Sequence, residues 1–133
     1  MKARWRDGVK APPTLRRMTV KILHNPRCSK SREALARLES RGLRPEIVDY
    51  LATPLSLAEL RTLQRQLGVP ARAMVREGED AYRELGLSEP ALSDDQLLQA
   101  VADHPRLLQR PIVVGGDRAL IARPPEQLDG WWP

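Results

Sequence analysis

An α/β domain built on a mixed four-stranded sheet is the fold this sequence predicts, and three observations carry it. A strand–helix–strand pattern opens the body of the chain. A β-hairpin signal around Gly115-Gly116 lies near its end. Between the two, residues 54–108 read as a block of helices. The 133 residues suit one domain with a sizeable core. Phenylalanine is absent, so Leu, Val, Ile and Ala must fill that core.

Taken in order, "MTVKILHN" (Met18 to Asn25) alternates, turns apolar and ends at Asn25-Pro26, as a buried strand running into a turn does. Ser29 to Ser40 follows as a helix with Ala34, Leu35 and Leu38 on its apolar face and Gly42 as its stop. Arg44 to Leu51 is the second strand, and the helical crossover makes the two strands parallel. Ser56-Leu57-Ala58-Glu59 is a capping box, in which serine and glutamate each satisfy a free amide at a helix start; this helix runs to Leu67, with Gly68 at its end. Short helical pieces are expected at Ala71–Arg76 and Asp80–Leu85. A second box, Ser93-Asp94-Asp95-Gln96, opens a helix that stops before His104-Pro105, with His104 read as a helix-end residue. "PIVVGGDRALIA" (Pro111 to Ala122) is the hairpin, and "PPEQLDGWW" a short last helix started by proline. Trp131 and Trp132 read as a packing plug on the sheet, with a partner contact as the alternative. The order β-α-β, helical insertion, β-β-α is the thioredoxin-like arrangement.

The charge divides the chain. Residues 1–17 hold six basic side chains against Asp7, which is the whole net charge of +5; residues 18–133 carry 16 basic and 16 acidic side chains. The basic excess therefore belongs to an N-terminal extension that reads as a disordered leader, and nucleic-acid binding by the body is not expected. No apolar run approaches a membrane span, and no secretory apolar segment opens the chain. A single cysteine gives no internal disulfide, so a cytoplasmic location is expected.

That cysteine, Cys28, lies in "HNPRCSKSR", where a strand gives way to a helix, with Arg27, Lys30 and Arg32 around it. Free amides and partial positive charge at a helix start favour a thiolate, which is the nucleophilic form. Ser31, one turn on, has a hydroxyl that could donate to the sulfur. A cysteine phosphatase needs C-x(5)-R, and the position that should hold arginine is Ala34. A C-x-x-C redox pair fails because Ser31 occupies the second place. One cysteine and two histidines make no recognisable metal-ligand spacing, so no metal is expected.

The pieces "HNPRCSKSR", "ARAMVREGEDAYRELGL", "SDDQLLQAVADHPRLLQRPIVV" and "ARP" closely resemble the ArsC-type arsenate reductases that draw on glutathione and glutaredoxin, from about Met18 through Pro124. The resemblance implies that Cys28 is the nucleophile, that Arg76, Arg110 and Arg123 hold the oxyanion, and that His24 tunes the thiolate. It implies arsenate as substrate, no bound cofactor, glutathione as co-substrate and glutaredoxin as partner, with no nucleic-acid or membrane partner. Arginine forks suit a tetrahedral anion, because they bind oxygens in pairs and stay charged. Residue type alone does not pick three arginines out of eighteen. Arg110 has a second support. It precedes Pro111 at a strand start, where an X-Pro bond can be cis, and thioredoxin-like folds set a cis-proline against the active cysteine. For His24 two readings stand: a hydrogen-bonded turn residue, or a cation beside the thiolate. The rival functions are a glutathione-dependent thiol/disulfide reductase with little arsenate activity, and a non-enzymatic Spx-like regulator that binds RNA polymerase. The latter group carries a C-x-x-C switch where this chain reads C-S-K-S.

Overall fold

The computed structural model describes residues 20–131. The expected basic extension at 1–17, the first two residues of the first strand and Trp132 lie outside the described residues. The sheet has the order β2-β1-β3-β4, from β1 (Val20–Leu23), β2 (Glu46–Val48), β3 (Ile112–Gly115) and β4 (Arg118–Ile121). β1 runs parallel to β2, with Ile22 opposite Ile47, and antiparallel to β3, with Ile22 opposite Val113; β3 and β4 form the hairpin. The mixed sheet with helices on its faces is a thioredoxin-like α/β fold. The strands are shorter than the sequence suggested. In the second strand only Glu46–Val48 pairs, because it is an edge strand with a single neighbour, and Ile47 is left exposed.

Period-two alternation sends side chains to both faces of the sheet, and each face has its own core. On one face Ile22, Val113 and Ala122 pack under α1 (Ser29–Ser40) through Ala34 and Leu38, together with Leu128 of the last segment. On the other, Leu23, Ile112 and Ala119 pack against Leu60, Leu63, Leu97, Leu98 and Val101. These last come from α2 (Leu57–Leu67) and α4 (Asp94–Asp103); α3 (Asp80–Glu84) is one short turn between them. The helical block thus shares a core with the sheet and forms its second layer.

Both capping boxes are present, with Ser56 accepting from the Glu59 amide and Ser93 from the Gln96 amide, and each partner side chain returning the bond. α2 ends at Gly68, whose φ of +67° is the left-handed cap that glycine adopts without penalty. Two expected helical pieces are 3₁₀ turns instead, at Ala71–Met74 and Pro125–Gly130. The first stops early because Val75 pairs as an isolated bridge with Leu108. The second starts from Pro124-Pro125, which have no amide to give to a helical ladder. It is tied to α1 by Arg37, whose Nη1 donates to both carboxylate oxygens of Asp129 at 2.8 Å. Trp131 packs half-buried on the same core with the Arg118 guanidinium over its ring. Among the described residues no helix is long and apolar enough to cross a membrane.

Candidate active site

Cys28 is the N-cap of α1, reached through a tight turn in which its amide donates to Asn25 O at 2.9 Å and Asn25 Oδ1 accepts from the Arg27 amide at 3.0 Å. The turn is held from inside the helix. Ser31 Oγ, fully buried, accepts from the Asn25 amide at 3.0 Å and meets His24 Nδ1 at 2.6 Å. The Ser31 hydroxyl is therefore committed to the turn, and it is the Ser31 amide that serves the sulfur. Burial is the largest influence on the thiol and pushes it up. The amides of Ser31 and Lys30 and the Arg110 guanidinium outweigh it, so the Cys28 pKa falls below its ordinary value. Their pull acts without a capping hydrogen bond of ordinary geometry to the sulfur.

His24 ends β1, where its amide donates to Val48 O at 2.9 Å and carries the parallel pairing one residue further. Its imidazole is buried, and burial lowers its pKa; Asp49 opposes that shift and Arg32 adds to it. Burial thus disfavours the charged ring, and the hydrogen bond to Ser31 is the one His24 makes in the turn.

The arginines reach the site unequally. The Arg110–Pro111 bond is cis, at the start of β3 beside β1, and Arg110 acts directly on the thiol. Arg76 is brought to Arg110 by a small antiparallel bridge: Val75 pairs with Leu108, the Arg76 amide donates to Leu107 O at 2.7 Å, and the Gln109 amide donates to Met74 O at 2.9 Å. Both arginines line one cleft of about 880 Å³ with Asn25, Pro26 and Arg27 of the thiol turn. The Arg76 fork is engaged there by Glu79 at 2.8 Å. Arg123 is exposed and, like Cys28 itself, is not among the residues that line that cleft; the Ala122 amide before it donates to Pro111 O at 2.9 Å, which ties its strand end to the Arg110–Pro111 corner.

One cleft residue carried no signal in the sequence. Tyr50 is fully buried, with its ring in the larger core, and it also lines the cleft. Burial pushes its phenol up to about 12, with Arg110 pulling against the rise and Cys28 adding to it. A lone tyrosine after a short strand looks like core. Its place beside Arg110 and Cys28 emerges only in the packed chain.

A nucleophilic thiolate at a helix start, flanked by guanidinium groups at the edge of a cleft, can attack a tetrahedral oxyanion or exchange with a disulfide. Residues 23–130 match the ArsC family. The chain belongs to the ArsC family. Within that family it is 52% identical over 111 residues to the arsenate reductase of Neisseria meningitidis, covering 83% of this chain and 95% of that one. It is 53% identical over 110 residues to the uncharacterized protein YfgD of Escherichia coli, covering 82% and 92%. The solved arsenate reductase of Vibrio cholerae superposes with a TM-score of 0.80 at 52% identity, covering 83% of this chain and 94% of that one. The ArsC match thus spans nearly every described element, with the Cys28 turn, the Arg76–Arg110 bridge and the hairpin inside it.

Proposed function

We propose that this chain reduces arsenate to arsenite, with Cys28 as nucleophile and glutathione and glutaredoxin supplying the other thiols. The observation that carries the reading is the Arg110 guanidinium acting on the Cys28 thiol at the N-cap of α1, where Arg110, Arg76 and the Asn25–Arg27 turn line one cleft beside it. The arsenate reductase names among ArsC relatives support it.

Attack of the thiolate on arsenic forms the S–As bond and expels one oxygen as water, giving a cysteine–arsenic(V) ester. Arg110 offsets the repulsion between the two anions as they meet. A glutathione thiol then attacks the Cys28 sulfur. The S–S bond forms as the S–As bond breaks, its electron pair leaves with arsenic as arsenite, and the thiol proton goes to an arsenite oxygen. Arsenic gains two electrons and each sulfur loses one. The second sulfur comes from outside because the chain has a single cysteine. Glutaredoxin clears the resulting mixed disulfide by thiol exchange. In this scheme the chain binds no resident cofactor and acts in the cytoplasm, where glutathione is reduced.

The second reading, glutathione-dependent reduction of other disulfides, is favoured by the Arg76–Glu79 pair, which leaves less positive charge for a dianion. One assay separates the two. Arsenite formation is followed with glutathione and glutaredoxin each omitted in turn, beside turnover of a glutathione mixed disulfide. Dependence on both thiols, abolished by Cys28→Ser, is expected. Arsenite formation by Cys28→Ser would overturn the thiol mechanism, and turnover of the disulfide alone would establish the second reading.

A further inference from the structure

Among the described residues, two buried side-chain polar atoms make no hydrogen bond of ordinary geometry: the Tyr50 hydroxyl and Arg110 Nε, although Arg110 lies close enough to pull on the phenol. They are neighbours at the same cleft, and Arg110 is the arginine that acts on Cys28. A buried donor left unpaired costs free energy, so native proteins keep very few, and those that persist need an explanation. Two unpaired donors side by side, next to a nucleophilic thiol, have a common one: a ligand oxygen that accepts from both.

We propose that Tyr50 is a substrate-binding residue whose hydroxyl donates a hydrogen bond to an oxygen of the tetrahedral oxyanion held by Arg110. The reading of the chain as an arsenate reductase supplies the anion's identity, and the inference rests on that reading for the identity alone. The geometry suits the task. The Tyr50 ring is locked among Leu, Val and Ile side chains, which fixes where the hydroxyl points. The Arg110 fork can cover two oxygens of a tetrahedron, and a third oxygen then needs a separate donor. The phenol stays protonated across the working pH range, so it always presents a proton to an anion. Tyr50 lies two residues past β2 and lines the same cleft as Arg110, whose charge acts on its hydroxyl. Asp49, just before it, does not compete for the hydroxyl, because its carboxylate accepts from the Leu51 and Ala52 amides.

The test is Tyr50→Phe, which removes the hydroxyl and keeps the ring. Binding of arsenate, phosphate and sulfate is titrated calorimetrically in a Cys28→Ser background, with and without the tyrosine change, so that no turnover intervenes. Tyr50→Phe is expected to weaken the anions that bind by about 10-fold or more, as loss of a hydrogen bond to a charged group does. The anion-free variant melts at the same temperature as its parent or higher, because an unpaired buried group has been removed. In turnover, KM for arsenate rises while KM for glutathione holds. Unchanged anion affinity would overturn the proposal and leave the reductase reading intact. A lower melting temperature in the anion-free variant would overturn it too, since the hydroxyl would then have had a partner in the free protein. If the Cys28 enzyme forms no arsenite while phosphate binding still depends on Tyr50, the substrate reading fails and the role of Tyr50 stands.

Discussion

Ser31→Ala removes a single oxygen, and the structure says what that oxygen carries. It pairs with His24 Nδ1 at 2.6 Å and accepts from the Asn25 amide at 3.0 Å, with Ser31 itself fully buried. Alanine leaves both groups without a partner. For the buried imidazole nitrogen the cost is about 1–3 kcal/mol; for the half-buried Asn25 amide, which water can reach in part, it is about 1 kcal/mol. Alanine is the better helix former by roughly 0.5 kcal/mol in the first turn of α1, which offsets only a small part. The net loss is about 1.5–3.5 kcal/mol, or roughly 6–14 °C in Tm for a domain of this size. Urea denaturation at pH 7.5 measures it as a lower midpoint at constant slope. The same change should leave the pH midpoint of Cys28 alkylation nearly where it was, because the Ser31 amide and not its hydroxyl serves the sulfur. A stability loss under about 0.5 kcal/mol would refute the hydrogen-bond account of the turn. A large upward move of the alkylation midpoint would show that the hydroxyl reaches the sulfur after all.

Further outcomes follow from the same geometry. Arg110→Gln removes the guanidinium that opposes burial at Cys28, so the alkylation midpoint should rise; an unmoved midpoint would mean that the helix-start amides hold the thiolate alone. His24 has a folded pKa below its ordinary 6.5, so the unfolded chain takes up this proton first. The stability it contributes is complete above about pH 6.5 and is lost as pH falls through the lower folded value. Urea midpoints between pH 7.5 and 5.5 should therefore decline, and His24→Gln should flatten the decline over that window. Cys28→Ser should abolish glutathione-dependent arsenite formation while leaving the thermal melt close to the parent's, since the half-buried sulfur is part of neither core.

Much of the fold was legible because it is encoded locally. The capping boxes at Ser56 and Ser93, the stop at Gly68 and the alternation through Ile112, Val113 and Val114 are written in neighbouring residues, where helix amides and strand faces impose their own periods. Element lengths were less so. Whether Arg44 to Leu51 pairs along its whole length depends on how many neighbours the sheet gives it, and an edge strand has one.

In the site, the sequence by itself marked the candidate nucleophile. A lone cysteine between basic residues at a strand-to-helix junction is electrostatically marked, since the helix start supplies free amides wherever the helix packs. Which cations and donors face that sulfur is a different kind of fact, because it depends on residues tens of positions apart. The bridge between Val75 and Leu108 brings Arg76 to Arg110, and only the packed chain sets Tyr50 in the cleft that both arginines line. The tertiary structure also decided how His24 and Ser31 act. Burial disfavours a charged imidazole, the hydrogen bonds to His24 and Asn25 hold the hydroxyl on the turn, and burial is a property that only the packed chain has.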